Sequence, residues 1–231
     1  MFEESERLIF KILKRLAKLD LVLIGGHALS AFVPPRFSID CDLVVRRKEV
    51  VAQIGNILAE EGFEKFREGE TVPRGGEFVV YMKRVGSMRA NFDILIGAVT
   101  DRLSGASFDA NWIFEHSKVR RVWAKASPIS VRIRTADPEI LFIMKLLTAR
   151  KQDIRDVFML AQLELDWKYV KEYVLAAPRQ IVREGIRKCR NLVTSREFKD
   201  GLQGVFGKIE IETFERSRRR LMSFLDEFAL E

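Results

Sequence analysis

Hydrophobic positions divide the chain into a first part with mixed elements and a second part that is helical. Residues 5–18 carry apolar side chains at helical spacing, whereas residues 21–24 form a continuous apolar run that two glycines end. The first pattern predicts an amphipathic helix, and the second is typical of a buried strand followed by a tight turn. The same criteria predict helices over 27–32, 47–61 and 108–117, and strands over 39–45, 63–67, 77–83, 89–96, 119–124 and 129–135.

The pattern changes at Asp137. An aspartate followed by Pro138 favours the start of a helix, because the carboxylate caps free backbone N–H groups and proline suits the first helical position. No later segment reads as a strand, and helices are predicted over 138–149, 152–164, 167–175, 179–194 and 210–229. We therefore expect an α/β (α+β) domain over residues 1–135, with a small mixed sheet flanked by helices, and an all-helical domain over residues 136–231.

Composition indicates a globular protein without a membrane span. Charged residues make up 32% and hydrophobic residues 47% of the 231 residues, which is typical of a folded chain. No apolar run approaches the ~18 residues that are needed to cross a bilayer. The two cysteines, Cys41 and Cys189, are too few for a disulfide framework and favour a reducing compartment. These features predict a cytoplasmic protein with no membrane partner.

The net charge of +7 is concentrated toward the end of the chain. Residues 179–220 contain twelve Lys or Arg and six Asp or Glu. Such a region could attract a polyanion such as RNA, because neutralised phosphates release their counterions. A solvated helical surface would have the same composition, so the sequence leaves both interpretations open.

Carboxylates supply the candidate chemistry. Asp40 and Asp42 lie on the predicted strand 39–45, where residues two apart point to the same side. Adjacent carboxylates repel each other unless a cation lies between them, and oxygen ligands suit Mg²⁺. Asp93 is isolated in the apolar strand 89–96, where a buried carboxylate ion is costly unless something pairs with it. If the two strands are neighbours, the three acids can hold two metal ions about 3.5–4 Å apart.

The segment between the first two strands supplies groups that suit phosphate. Gly25 and Gly26 would let backbone N–H groups approach phosphate oxygens. Ser38 could donate a hydrogen bond to a phosphate, and Arg36 could pair with one electrostatically. Each signal alone is weak, because diglycine turns are common and Asp-x-Asp also occurs in surface strands and calcium loops. Asp93 alone could equally be a surface acid or a helix cap. Their conjunction favours a site for metal-bound phosphates.

This conjunction resembles the nucleotidyltransferase superfamily of the DNA polymerase β type. That superfamily has a hydrophobic residue before Gly-Gly or Gly-Ser, then a spacer, an Asp-x-Asp pair and a later Asp. Residues 24–26, Asp40, Asp42 and Asp93 match this pattern, with Gly26 where many members have serine. Together with the helical segment described next, the resemblance spans about residues 20–160.

Two further segments narrow the resemblance. Arg36, Ser38 and the two aspartates that follow are similar to minimal nucleotidyltransferases and to AbiEii-like toxins of type IV toxin–antitoxin systems. Those relatives carry a lysine and a Lys-x-Asp-x-x-Asp type segment in a helical domain, and Lys145 and residues 151–156 resemble these features. A toxin of this kind would have a cognate antitoxin as a partner.

The resemblance implies transfer of a nucleoside monophosphate from an NTP to an acceptor hydroxyl, on tRNA or a protein, with release of pyrophosphate. It also implies that Asp40, Asp42 and Asp93 are catalytic and hold two Mg²⁺ ions, with Asp93 assisting deprotonation of the acceptor. Lys145 would contact a phosphate, and Asp153 would orient that lysine or the acceptor. The residues implied for binding the nucleotide are Gly25, Gly26, Arg36, Ser38, Lys145 and Asp153.

Other interpretations remain open from the sequence. The chain could bind nucleotide or RNA with the same fold and no turnover, or could be a structural partner whose basic C-terminal helices bind RNA or another chain. Lys145 could belong to an ordinary charged helix face, on which Asp153 and Asp156 pair with Arg150 and Arg155. The polar loop over residues 68–76 could close over a substrate, although an inert hairpin connection is the simpler interpretation.

Overall fold

The first part of the chain folds around a mixed β-sheet, which confirms the predicted fold class. The computed structural model describes residues 2–71 and 75–228. The elements up to residue 136 are α1 (Phe2–Leu16), β1 (Val22–Ile24), α2 (Gly25–Leu29), β2 (Asp40–Val45), α3 (Lys48–Glu60), β3 (Glu64–Thr71), β4 (Gly76–Val85), β5 (Met88–Ile96), β6 (Ala98–Thr100), β7 (Ser107–Asp109), α4 (Ala110–Glu115), β8 (Ser117–Trp123) and β9 (Ser130–Ala136).

Seven of these strands form the main sheet, in the order β3-β4-β5-β2-β1-β9-β8. β2 runs parallel to β5, and β1 runs parallel to β9. The other neighbouring pairs are antiparallel, and β6 and β7 form a separate two-stranded sheet. The strands that carry the candidate carboxylates, β2 and β5, are therefore neighbours near the centre of the sheet.

Helix α1 covers one face of the main sheet at β9. The side chains of Val131, Ile133 and Thr135 are buried, whereas Arg132 and Arg134, which alternate with them, are exposed. Because α1 lies against β9 and β5, it packs on the face that carries the buried side chains. The face that carries the two arginines points the other way.

The second part of the chain is helical. Its elements are α5 (Pro138–Thr148), α6 (Lys151–Leu160), α7 (Trp167–Leu175), α8 (Arg179–Val193), α9 (Phe198–Phe206) and α10 (Ile211–Asp226). As predicted, α5 begins at Pro138. Among the helices of the described residues, none is both long enough and apolar enough to cross a membrane.

The chain separates into two compact units. The first unit comprises Met1–Thr100 and Ser107–Asp137, and the second comprises Asp101–Ala106 and Pro138–Glu231. The segment 101–106 therefore belongs to the second unit although it interrupts the first in sequence. Its Asp101 is 7% exposed and forms a salt bridge with Arg150, so that the segment is fixed by a partly buried ion pair.

Some element boundaries differ from the predicted ones. The helix predicted from residue 108 begins at Ala110, because the carboxylate of Asp109 accepts hydrogen bonds from the backbone N–H of Asn111 at 2.7 Å and of Trp112 at 3.3 Å and acts as the N-cap. The short strand β7 lies immediately before it. The helix predicted over 27–32 instead forms α2, which begins two residues earlier.

Two other predictions need correction. Helix α9 was not predicted, because its two glycines, Gly201 and Gly204, have low helix propensity. The predicted loop over residues 68–76 is mostly strand, since β3 extends to Thr71 and β4 begins at Gly76. Residues 72–74, in the middle of that predicted loop, lie outside the described residues.

Candidate active site

Asp42 and Asp93 lie side by side near the centre of the main sheet. In the parallel pair of β2 and β5 they occupy partner positions. Asp42 also faces Ile24, the last residue of β1. The neighbouring residues along β2, Cys41 and Leu43, are fully buried on the other face. Strand alternation therefore places both acids on the same face of the sheet.

Asp40 extends this group at the beginning of β2. Its partner across the strand pair is Asn91, and the side-chain amide of Asn91 donates a hydrogen bond of 2.8 Å to Asp40 Oδ1. Asp40 precedes Asp42 by two residues, and Asn91 precedes Asp93 by two, so all four side chains lie on one face. The sequence analysis did not identify Asn91 as a site residue. Its position two residues before Asp93 on the same strand is the signal that would have identified it.

The pKa of the buried Cys41 thiol is raised by all three acids. Burial raises its pKa well above the usual value, and the negative charges of Asp42, Asp93 and Asp40 raise it further. The strand register places the three predicted acids on one face of the sheet, with Asp42 and Asp93 in partner positions.

Gly25 follows β1 directly and lies against Asp42. Its φ of +68° falls in the left-handed region that glycine adopts at little cost. A Cβ atom at this position would lie 1.9 Å from Asp42 Oδ2. A side chain at Gly25 would therefore both strain the backbone and displace the carboxylate.

Gly26 faces the other two groups that were predicted for phosphate. A Cβ atom here would lie 2.6 Å from Ser38 Oγ and 3.1 Å from Arg36 Nη1. Arg36 Nη1 donates a hydrogen bond of 3.0 Å to the carbonyl oxygen of Phe37. Ser38 Oγ donates one of 3.1 Å to the carbonyl oxygen of Asp40. Ser38 precedes the first residue of β2, yet its hydroxyl group and the guanidinium group both adjoin the diglycine.

His27 is buried next to these groups. Its ring is 3% exposed and contacts Phe10 edge-on, with ring centroids 5.8 Å apart. Burial, and then the positive charge of Arg36, lowers the pKa of His27 to about 4, although a hydrogen bond with the backbone of Ser38 acts in the opposite direction. Within the described residues Nε2 has no hydrogen-bond partner. The ring is therefore neutral at pH 7 and serves as a packed part of the site's support.

A second group of predicted residues surrounds Lys145 in the helical unit. Lys145 Nζ lies 3.0 Å from Asp153 Oδ1 and 2.7 Å from Asp156 Oδ2. The side chain of Lys145 is 9% exposed, and that of Asp156 is fully buried. The alternative in which Asp153 and Asp156 pair with Arg150 and Arg155 on a helix surface is therefore wrong. Asp156, which that alternative treated as a surface acid, is the most buried member of the cluster.

A strained turn brings the two sides of this cluster together. Ala149, between α5 and α6, has a φ of 47°, which is unusual for a residue with a side chain. The turn directs α6 back so that Asp153 meets Lys145. Thr148 Oγ1 supports the arrangement by donating a hydrogen bond of 2.9 Å to Asp153 Oδ2. Backbone strain of this kind is often found at functional sites.

The acids of the first unit fit a magnesium site that substrate completes. Across residues 2–71 and 75–228, no group of three or more His, Cys, Asp or Glu side chains is arranged to hold a metal ion by itself. Mg²⁺ usually binds one or two carboxylates together with substrate phosphates and water. Asp42 and Asp93 offer two such carboxylates, and the absence of a side chain at Gly25 leaves room for the carboxylate of Asp42. The residues therefore suit the ion, and their role as metal ligands stays a prediction.

The predicted site residues divide between the two units. Gly25, Gly26, Arg36, Ser38, Asp40, Asp42 and Asp93 lie in the first unit, and Lys145 and Asp153 lie in the second. Within each unit the structure brings the predicted residues together. Their roles in binding and catalysis stay predictions.

One family model matches most of the chain. The family model described as nucleotidyl transferase AbiEii toxin, type IV toxin–antitoxin system, matches residues 7–229. No curated protein matches the chain. Among solved structures, JHP933 from Helicobacter pylori is 16% identical with a TM-score of 0.47, over 99% of this chain and 93% of that chain. A second H. pylori structure, provisionally assigned as a nucleotidyltransferase, has the same identity and TM-score over 99% and 97%. A provisionally assigned nucleotidyltransferase from Thermotoga maritima is 17% identical with a TM-score of 0.37, over 57% and 78%.

The family match includes every candidate residue described above. It extends from residue 7, in α1, to residue 229, beyond the end of α10. It confirms the resemblance that the diglycine and the three acids indicated. The chain belongs to the AbiEii family of nucleotidyltransferase toxins of type IV toxin–antitoxin systems, and it is a transferase of that family.

Proposed function

We propose that the protein transfers a nucleoside monophosphate from an NTP to a hydroxyl group of tRNA or of a protein, in a magnesium-dependent reaction. The observation that carries this proposal is the partner position of Asp42 and Asp93 on neighbouring strands, with Asp40 on the same face. Residues 1–135 are the catalytic domain in this proposal, and residues 136–231 form its helical companion.

The reaction is a displacement at phosphorus. The acceptor oxygen forms a bond to the α-phosphorus, and the bond from that phosphorus to the bridging oxygen breaks, so that pyrophosphate leaves. Two Mg²⁺ ions held by Asp40, Asp42 and Asp93 would supply charge neutralisation and a lower pKa of the attacking hydroxyl group. The carboxylate of Asp93 accepts the proton that the hydroxyl group loses, which is the role of a general base.

The remaining groups hold the triphosphate. Gly25 and Gly26 present backbone N–H groups without side chains, and the hydroxyl group of Ser38 and the guanidinium group of Arg36 adjoin Gly26. A guanidinium group and a hydroxyl group both donate hydrogen bonds to phosphate oxygens. Charge-assisted bonds of this type position the nucleotide for in-line attack.

The cluster in the helical unit would add a further phosphate contact. Lys145 supplies the positive charge, and the contact of 3.0 Å with Asp153 orients its ammonium group. The second contact, of 2.7 Å with Asp156, holds the ammonium group from another side. As a member of a type IV toxin–antitoxin family, the protein would have a cognate antitoxin that opposes this activity.

Labelling with each radioactive NTP tests the proposal. The intact protein is incubated with Mg²⁺ and either total cell RNA or cell lysate, and the labelled acceptor is identified. We expect transfer that is lost in Asp42→Ala and in Asp93→Ala. Asp200→Ala, which removes an exposed aspartate from α9, is the matched control and should retain transfer. Label that persists in Asp42→Ala would refute the assignment of Asp42 as a catalytic residue. NTP binding without any transfer would favour the alternative in which the protein binds nucleotide without turnover.

A further inference from the structure

Two strands at the edge of the sheet expose an unusual combination of side chains. We define the β8–β9 face by Val119, Arg121, Trp123, Arg132 and Arg134. Val119 is 55% and Trp123 is 43% exposed, and the three arginines are also exposed. In the register of the two strands, residue 119 is opposite 134, 121 is opposite 132, and 123 is opposite 130. All five side chains therefore share one face.

The positions of the arginines on this face favour an anionic partner. Arg121 and Arg132 occupy directly opposite positions, and like charges in such positions repel each other. Arg134 Nη1 has a contact of 3.5 Å with Ser117 Oγ, which is a weak hydrogen bond at best. Within the described residues, neither Arg121 nor Arg132 has a salt bridge, and β8 and β9 contain no acidic residue. Bound anions would relieve this repulsion.

The β8–β9 face lies on the same side of the sheet as the candidate carboxylates. Leu23 of β1 is the partner of Thr135 on β9 and of Leu43 on β2, so these three share the face that α1 covers. The residues that alternate with them, Arg134 on β9 and Asp42 on β2, share the opposite face. In the strand order β2-β1-β9-β8, β9 is two strands from β2, a lateral distance of about 10 Å.

An exposed tryptophan among the arginines identifies the kind of anion. The guanidinium group of Arg121 lies over the Trp123 ring, 5.5 Å from its centroid. Positively charged surfaces that carry exposed aromatic rings bind single-stranded nucleic acids, because phosphates contact the cations and bases stack on the rings. An acidic peptide would match the charge but would offer Trp123 no flat base to stack on. We propose that the β8–β9 face binds a single-stranded segment of RNA.

RNA binding at the β8–β9 face is an inference additional to the proposed transfer reaction and does not depend on it. That the bound RNA is also the acceptor rests on the proposed function, because the face and the carboxylates share one side of the sheet. Binding itself requires only the arginines and Trp123. The two conclusions can therefore be tested separately with the same protein.

The alternative location for RNA is the groove beside α8, in the basic region over residues 179–220. This groove encloses about 1160 Å³, and its lining includes Arg179, Arg183, Arg187 and Arg190. However, Arg190 Nη1 forms a salt bridge of 2.6 Å with Asp226, and Glu184 also lines the groove. The aromatic ring among its described lining residues, Phe228, is half-buried, whereas Trp123 is exposed. The β8–β9 face is therefore the better candidate.

Binding of a labelled RNA to the intact protein tests the proposal. Fluorescence anisotropy measures the affinity for an unstructured oligoribonucleotide of mixed sequence over a range of salt concentrations. Loss of one stacked base in Trp123→Ala should weaken binding at least about fivefold. Arg132→Ala should lower the slope of log affinity against log salt by about 0.7, which is the value for one phosphate contact with a single strand.

Lys14→Ala is the matched control, because Lys14 is exposed on α1, which packs on the opposite face of the sheet. It should bind RNA as the unsubstituted protein does, and the melting temperature of each variant should confirm that it is folded. Wild-type affinity in both Trp123→Ala and Arg132→Ala would overturn the proposal. It would also fail if Arg183→Ala alone accounted for binding, or if an acidic peptide displaced the RNA at lower concentration.

Asp42→Ala separates this proposal from the proposed function. It should bind RNA with unchanged affinity and transfer no nucleotide. If the unsubstituted protein binds RNA through Trp123 and Arg132 but labels no acceptor, the surface stands and the proposed reaction fails. If transfer occurs while both surface variants bind RNA normally, the reaction stands and the surface fails.

Discussion

Asp42 on β2 and Asp93 on β5 occupy partner positions in parallel strands, so two carboxylates face each other across one strand spacing. Like charges in such positions destabilise a sheet by up to about 1 kcal/mol. Asp93→Asn should therefore increase the free energy of unfolding by a few tenths to about 1 kcal/mol while it abolishes nucleotide transfer. Urea denaturation without divalent cations measures the first effect, and labelling measures the second.

Magnesium should stabilise the unsubstituted protein more than it stabilises Asp93→Asn. A ligand that binds only the folded state raises its stability, so added Mg²⁺ should raise the melting temperature of the unsubstituted protein more than that of Asp93→Asn. Equal shifts in the two proteins would contradict the proposed metal site. A lower stability of Asp93→Asn without metal would show that repulsion between the acids is not important.

Alanine substitutions at the two glycines of the diglycine should reduce nucleotide transfer by different amounts. In Gly25→Ala the new methyl group would collide with Asp42 Oδ2, and the φ of +68° adds strain of about 1–2 kcal/mol. Transfer should fall at least tenfold, because the methyl group displaces the carboxylate of Asp42 from its position; a tenfold loss corresponds to about 1.4 kcal/mol in the catalytic barrier. Gly26→Ala should be milder, since the nearest groups are the mobile ends of Ser38 and Arg36. Initial rates of transfer and thermal melts measure both effects.

Gly204 offers the control for those substitutions. It lies inside α9 and is exposed, and a Cβ atom there would have no neighbour within 4 Å. Gly204→Ala should therefore stabilise the helix by about 0.8–1 kcal/mol and leave transfer unchanged. Activity in Gly25→Ala equal to that in Gly204→Ala would show that the carboxylate of Asp42 has more freedom than its contact with Gly25 indicates.

Buried charge makes Lys145 a key residue for stability. Lys145→Met would leave Asp156 fully buried without the ammonium group that lies 2.7 Å away. Loss of one partner from a buried ion pair typically costs about 3–5 kcal/mol. Denaturant unfolding should show a loss of this size, and the double variant Lys145→Met/Asp156→Asn should recover part of it. Lys151→Met, an exposed lysine at the start of α6, should change stability little.

His27 makes stability depend on pH. Its pKa is about 4 in the folded protein and about 6.5 in an unfolded chain, so between these values only the unfolded state binds the proton. Stability should therefore fall as the pH decreases from about 6.5 toward 4, by up to about 3 kcal/mol from this group. Urea midpoints measured from pH 7 to pH 5 should decline less steeply in His27→Gln. Parallel curves for the two proteins would show that the ring protonates without cost.

Local periodicity predicted part of the site, and non-local pairing determined the rest. Alternation along residues 39–45 placed Asp40 and Asp42 on one side, since the period of a strand is two. It could not show that β5 would be the neighbour of β2, because strand pairing depends on contacts far apart in sequence. The position of Asp93 was therefore inferred from the cost of burying a lone acid, together with a family resemblance.

The lysine cluster could be predicted only through the family resemblance, which linked Asp153 to Lys145. Asp153 and Asp156 are close in sequence to Arg150 and Arg155, so surface pairs within one helix were a reasonable interpretation. Their actual contact with Lys145 depends on the left-handed turn at Ala149. Alanine rarely adopts that conformation, and its sequence context does not indicate it. Helix α9 was not predicted because two glycines weaken its helical pattern.

The segment 101–106 gives the polypeptide an interleaved order, in which the backbone leaves the sheet unit, contributes to the helical unit, returns, and leaves again after Asp137. A single cut after Asp137 would separate Asp101 from Arg150, which form a salt bridge within the helical unit. Neither unit can therefore be excised or exchanged as one uninterrupted block. Grafting the helical unit onto another protein would require that both of its pieces be transplanted together.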